Sequence, residues 1–235
     1  MYTYVSNIYY KVYYFFDFFY IWILGSENFL EKKLVLYQKF NEGIKEQLFS
    51  NLELNRKLKL NKILKESKIK SEDDINRRLT VKLNLKGITK RDVQSVEKEG
   101  ATTQYLRKEG QFIYGKQNLH KGAFGIIPKE LDNHLSSSDI PSFDFIDDTI
   151  NPMWFYYYFS RKNFYTKLER FSTGTGSKRI PSDEFLNIQI NIPDLHIQNK
   201  QAEILNNLKL KENILINEIL GMKNYKKYLL QKMFV

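Results

Sequence analysis

Between Tyr114 and Lys121 the chain reads Tyr-Gly-Lys-Gln-Asn-Leu-His-Lys. In that run Tyr114, Lys116, Gln117, Asn118, His120 and Lys121 carry groups suited to a DNA duplex. The carboxamides of Gln and Asn can bond an adenine edge in pairs, Lys can reach guanine acceptors, and neighbouring cations can hold phosphate. Loops that face water use the same residue types, so the run by itself leaves open whether it reads DNA or is merely solvated. A second stretch, from Phe171 to Ile180, gathers Ser172, Thr173, Thr175, Ser177, Lys178 and Arg179 around two glycines. Backbone amides of such a turn, with its two cations, could grip phosphate; an ordinary tight turn is the competing account. The spacing argues against a nucleotide site. A P-loop needs Gly-x-x-x-x-Gly-Lys-Ser/Thr between strand and helix, and Gly174-Thr175-Gly176-Ser177-Lys178 fits neither spacing nor context.

No catalytic constellation stands out. His120, His134 and His196 lie far apart with no cysteine to complete a metal site, and no Ser/His/Asp set, Asp/Glu-x-Lys nuclease core or paired acids is evident. Asn151-Pro152-Met153-Trp154 lacks the second proline of the Asn-Pro-Pro-aromatic pocket of amino-methylating enzymes. It reads instead as a helix start, with proline in the first turn. The expectation is a non-catalytic binder with no metal and no cofactor of its own. Composition points the same way: 37 Lys and Arg against 27 Asp and Glu, net +10, favour a polyanionic partner. The absence of cysteine suits a reducing cytoplasm.

The loops need a scaffold, and the sequence outlines an α+β one. Gln111 to Gly115, Phe124 to Pro128 and Phe143 to Phe145 read as short strands. Thr80 to Leu85 alternates apolar and polar residues, as a strand with one wet side does, and Phe185 to Pro193 alternates in the same way before a helix begun at Asp194. Residues 61–66 fit a short helix or a turn, and Ser71 and Asp74 stand at capping-box spacing. The helix opened by Asn151-Pro152 runs through Trp154 and Phe159 toward Phe171. Arg77, Arg78, Lys90, Arg91, Arg107 and Lys108 are available to widen a basic face.

Both ends of the chain carry the narrow seam of a coiled-coil helix. Leu205, Leu208, Leu215, Ile219, Met222, Leu229 and Met233 keep a three-four alternation interrupted only by Glu212 and Lys226, and Leu34, Tyr37, Ile44 and Leu48 keep it with Asn41 inside the seam. Ile44-Lys45-Glu46-Gln47-Leu48-Phe49 also reads like Leu229-Leu230-Gln231-Lys232-Met233-Phe234, so two related helices bracket one insert. The expected division is an apolar leader at 1–28 without assignment, a helix at 29–51, a recognition domain at 52–197 and a final helix at 198–235. Lys11 and Asp17 interrupt the aromatic leader and count against a membrane span.

In this order the parts resemble the specificity (S) subunit of type I restriction-modification systems. The resemblance is carried by the helix ending Lys45-Glu46-Gln47-Leu48-Phe49, the insert with Tyr114 to Pro128, and the loop Thr173 to Ile180. The strand Leu186 to Pro193 and the helix ending Leu229 to Phe234 complete it. Full members carry two target recognition domains separated by two antiparallel conserved helices; this chain carries one, like the second half of such a subunit. The resemblance implies a cytoplasmic double-stranded DNA reader. It implies helices that serve as a ruler and dock methylation (M) subunits using S-adenosylmethionine and restriction (R) subunits using ATP and Mg. A second copy, or another half-specificity subunit, would restore a two-part reader. The chain departs from the family in lacking the first target domain, in its leader, and in His196-Ile197-Gln198 where members often have Glu-Glu-Gln. A scaffold of coiled-coil helices, non-DNA or membrane-proximal, and an inactive truncated fragment are the alternatives.

Overall fold

The computed structural model describes residues 2–50, 56–92, 100, 102–174 and 178–233, with side chains from Gly25 to Lys232. The chain divides into two compact units, residues 1–44 with 204–235, and residues 45–203.

The first unit is built from two long helices, α1 (Tyr2–Ser50) and α5 (Leu195–Met233). Nothing before Phe29 stops α1: the stretch has no proline, and its one glycine, Gly25, costs only about 1 kcal/mol against alanine. The helix therefore begins at Tyr2, upstream of the boundary expected at residue 29. The leader expected at 1–28 stays without assignment, since its side chains up to residue 24 lie outside the described residues. The two helices run antiparallel. Lys226 Nζ meets Glu27 Oε2 at 3.1 Å, Lys223 Nζ meets Glu31 Oε1 at 2.7 Å, and Gln38 Nε2 donates to Glu212 Oε1 at 2.8 Å. Leu205, Leu215 and Ile219 are buried, while Leu34, Tyr37, Ile44, Leu208, Met222 and Leu229 are half-buried. Glu212 and Lys226, the two polar interruptions of the seam, thus have partners on α1.

The second unit is a set of small antiparallel sheets. Its strands are β1 (Arg56–Lys59), β2 (Leu64–Ser67), β3 (Lys70–Ser71), β4 (Leu79–Val81), β5 (Ile88–Lys90), β6 (Gln104–Arg107), β7 (Phe112–Tyr114), β8 (Phe124–Ile126), β9 (His134–Ser137), β10 (Ser142–Phe145) and β11 (Gln189–Ile192). They pair as β1-β11, β2-β10-β7-β8, β3-β6-β9 and β4-β5. The short helices are α2 (Pro152–Phe159), α3 (Lys162–Tyr165) and α4 (Ser182–Leu186).

Several expected elements differ. The strand expected from Thr80 to Leu85 ends at Val81, because Asn84 and Leu85 both take φ of 58° and turn the chain back. Residues 64–67 are strand rather than helix, paired with β10. Asp74 caps a 3-10 turn by accepting from Asn76 N at 3.0 Å. Residues 182–186 form α4, so the last strand starts only at Gln189. The helix opened by Asn151 ends at Phe159 and is followed by α3 and a 3-10 turn to Phe171. Its cap is as expected: Asn151 Oδ1 accepts from Met153 N and Trp154 N, both at 2.9 Å.

Aromatic side chains dominate the core of this unit. Phe112 on β7 stacks on Phe185 at 5.5 Å and meets Phe155 edge-on at 5.1 Å, with Tyr114, Phe124, Phe143 and Phe159 around it. Such pairs add about 0.5–1.5 kcal/mol each beyond burial. The end of α1 belongs to this core, since Phe49 is buried against Trp154 and Tyr158. Two glutamines one turn apart on α5 complete the junction. Gln198 is fully buried; its Oε1 accepts from Asn151 N, and its Nε2 donates to the carbonyls of Thr149 and Pro193. Gln201 donates to Leu48 O at 2.8 Å and accepts from the Trp154 indole at 2.7 Å.

Candidate nucleic-acid interface

The Lys116–Gly122 loop joins β7 to β8, two paired strands. Its shape comes from its own backbone: Gly115 O accepts from Asn118 N at 3.0 Å, Asn118 O accepts from Lys121 N at 2.9 Å, and Gly122 closes the 3-10 turn at φ 74°. Gln117 and Lys121 are exposed, while Lys116, Asn118 and His120 are half-buried. Tyr114 corrects the expectation of a DNA contact. It is fully buried, its hydroxyl donates to Ile180 O at 3.0 Å, and burial pushes that hydroxyl's pKa up, so it is scaffold for the loop.

The second loop lies beside the first. Thr173 and Arg179 exchange two backbone bonds, of 2.7 and 3.0 Å, that close a hairpin, and the next residue, Ile180, donates its amide to Lys116 O at 2.9 Å. Thr175 and Ser177 lie outside the described residues; Ser172 is half-buried and Thr173 is exposed. Two acids that sequence reasoning missed hold the cations in place. Lys178 pairs with Glu169 at 2.7 Å and Arg179 with Asp139 at 2.8 Å, while the Asp139 carbonyl accepts from Lys116 N at 2.9 Å. Both pairs are exposed, where water screens the attraction and leaves it weak. Lys178 draws the Glu169 carboxyl below its ordinary range. His120 is held below the ordinary histidine range, first by burial and then by Lys121 and Lys178, against the opposing pull of Glu169.

A third loop, unrecognised in the sequence, meets the first. The tip of the β4-β5 hairpin gives the amides of Asn84 and Leu85 to Lys121 O and Gly122 O, each at 2.9 Å. A cleft of about 280 Å³ also opens beside Lys116, lined by Glu66, Ser67, Tyr105, Ser182 and Asp183.

Two arginines expected to widen the basic face are structural. Arg78 is buried and forms a salt bridge with Asp73, which also accepts from Gly100 N. Arg107 is buried and spends its guanidinium on Ser67 O, on the hydroxyls of Ser136 and Ser142, and on the carbonyls of Ser136, Ser137 and Ile140. Burial lowers its pKa to about 10, and it remains protonated at neutral pH. Among the described residues no group of His, Cys, Asp and Glu could hold a metal ion, and no helix is long and apolar enough to cross a membrane.

The solved structures to which the chain is similar include two specificity subunits. One is the HsdS subunit from Thermoanaerobacter tengcongensis, at 12% identity and a TM-score of 0.56, covering 92% of this chain and 55% of that one. The other is the type I restriction-modification S subunit from M. genitalium, at 14% identity and a TM-score of 0.57, covering 88% and 56%. The chain therefore spans about half the length of each, and at these identities the likeness concerns the fold. A search of curated proteins gives no match. The model of the type I restriction modification DNA specificity domain matches residues 57–221, which take in every sheet of the second unit, all three loops above and much of α5; the chain belongs to that family.

Proposed function

We propose that the chain is a specificity component that reads one part of a two-part DNA site and carries no catalysis. The observation that carries this reading is the bond between Ile180 N and Lys116 O, which sets an amide-and-cation loop beside a second cationic loop on a domain of the specificity family. Lys116, Lys121, Lys178 and Arg179 hold phosphate, and Gln117 and Asn118 address base edges. Methylation and restriction are the work of partner M and R subunits in the cytoplasm, with S-adenosylmethionine, ATP and Mg bound there and no cofactor bound here.

The helical unit supports the docking half of the proposal. Outside its seam α1 exposes Phe29, Leu36 and Phe40, and α5 exposes Ile214, Tyr225 and Tyr228, more apolar surface than a lone helix pair needs. Partner helices of the M subunits, or of a second half-specificity chain, would cover it.

Anisotropy of a labelled duplex carrying the cognate site, titrated with the full chain and its M subunit, tests the reading. Affinity is expected to fall steeply with salt and to drop at least tenfold when Lys116, Gln117 and Asn118 are replaced together by alanine. Salt-independent binding, or a triple variant with undiminished affinity, would sink it.

A further inference from the structure

The geometry points to the β4-β5 hairpin as a third DNA-contacting element, with Lys82 and Lys86 on backbone phosphates and Leu83 and Asn84 presented to the groove between them. This rests on the DNA-reading proposal and adds residues that the loop sequences did not suggest. The hairpin tip is a tight turn in which Lys86 N bonds Leu83 O at 3.2 Å and Lys82 N bonds Gly87 O at 2.9 Å. Its two central residues, Asn84 and Leu85, sit at φ 58°. Asparagine tolerates that conformation and leucine does not. Leu85 is kept there by its amide bond to Gly122 O and by packing on Gly122, whose missing Cβ would lie 3.2 Å from Leu85 N and 3.3 Å from Leu85 Cδ2.

Strain of this kind persists where surrounding structure holds it, and it concentrates at functional sites. Here its consequence is positional. With Leu85 turned inward onto the reading loop, Lys82, Leu83, Asn84 and Lys86 are all exposed, Leu83 by 42%. From Leu79 to Lys90 the hairpin has three lysines and no acidic residue, and neither Lys82 nor Lys86 has an ion-pair partner among the described residues. Lys121 and Lys178, by contrast, lie close enough to His120 to act on its charge, and Lys178 is held by Glu169. A two-stranded ribbon fits the major groove, and a rigid tip with cations on both flanks is the shape that uses it.

The test is the salt dependence of duplex binding by the full chain with its M subunit, for the Lys82→Ala/Lys86→Ala variant beside two controls. One control is the Lys116, Gln117, Asn118 triple alanine variant; the other is Lys57→Ala/Lys59→Ala, which removes the same charge from exposed positions on β1. Losing two phosphate contacts should lower the slope of log affinity against log salt by about 2 and weaken binding roughly tenfold at moderate salt. Lys82→Arg/Lys86→Arg should restore both, and unfolding midpoints should match throughout. If the hairpin variant keeps wild-type slope and affinity while the triple variant loses them, the inference falls and the DNA reading stands. If the β1 variant loses as much slope as the hairpin variant, net charge is the cause and the inference falls. If the wild-type complex binds without salt dependence, both fall.

Discussion

Replacing Gln198 by leucine separates hydrogen bonding from packing at the place where α5 enters the recognition unit. Gln198 is fully buried, accepts from Asn151 N at 2.9 Å, and donates to Thr149 O at 2.9 Å and Pro193 O at 2.8 Å. Leucine is close to glutamine in volume and leaves one amide and two carbonyls without that partner. At about 1–3 kcal/mol for each buried group left unpaired, the gross loss is about 3–9 kcal/mol. Better burial of an apolar side chain returns about 1–2 kcal/mol, so a net loss of about 4 kcal/mol is expected. For a chain of this length, at roughly 2–4 °C per kcal/mol, that is a fall in Tm of about 8–16 °C. Glutamate at the same position sharpens the test. It still accepts from Asn151 N but turns its second oxygen toward two carbonyls, so burial and repulsion raise its folded pKa above the ordinary value near 4.3. The folded state then binds the extra proton. The Gln198→Glu deficit should therefore shrink as pH falls toward about 5 and grow as pH rises through the raised pKa. Urea unfolding at pH 5 and pH 7 reads both effects. A leucine variant within about 1 kcal/mol of wild type would refute the reasoning.

Gly122→Ala should cost about 2 kcal/mol, since alanine at φ 74° is strained and its Cβ meets Leu85 N; hydrogen exchange at the Asn84 and Leu85 amides should quicken, and unchanged protection would count against the docking of the hairpin. Arg107→Met should lower stability by about 2–4 kcal/mol and leave duplex affinity of the folded fraction unchanged, the reverse of what a surface cation would show. Because His120 is held below its ordinary pKa, the folded state binds fewer protons there than the unfolded state. Stability contributed at that site should therefore rise with pH through about 6.5 and fall away below it, and His120→Gln should flatten that segment of a pH–stability curve. Ile219→Ala, in the buried seam, should cost about 2–4 kcal/mol in calorimetry.

What the sequence made legible was whatever a local rule controls. Asn151-Pro152 fixes the start of α2 because a side-chain oxygen and a missing N–H act within one turn. The three-four spacing fixes the face α5 turns to α1, because helix geometry converts spacing into direction. The misplaced elements were those where a distant contact overrides local preference. Thr80 to Leu85 alternates like a strand, yet Leu85 is pulled into the left-handed region by an amide bond to Gly122, 37 residues on in number (122 less 85). Tyr114 and Arg107 have the residue types of a DNA surface, and only the fold reveals that both are buried. Gln198 and Gln201 were equally silent, since a polar residue on a seam helix does not announce the backbone groups it will satisfy.

The polar positions in the seam fix how the helices of the first unit register. Apolar knobs alone would accept a shift of one heptad, because the same spacing recurs along both helices. Sliding α5 one heptad one way lays Lys226 against Leu34 and strips Glu27 of its partner; sliding it the other way lays Glu212 against Glu31, acid against acid. In the observed register Lys226 and Glu212 meet Glu27 and Gln38. The seam also carries a cost at its middle. Tyr37 Oη and Asn41 Oδ1 are buried there without a hydrogen-bond partner, and burial, with Glu212 nearby, raises the tyrosine pKa. A pair of helices selected only for strength would place leucine at both positions. Keeping polar groups in the seam trades stability for a single alignment of the two helices.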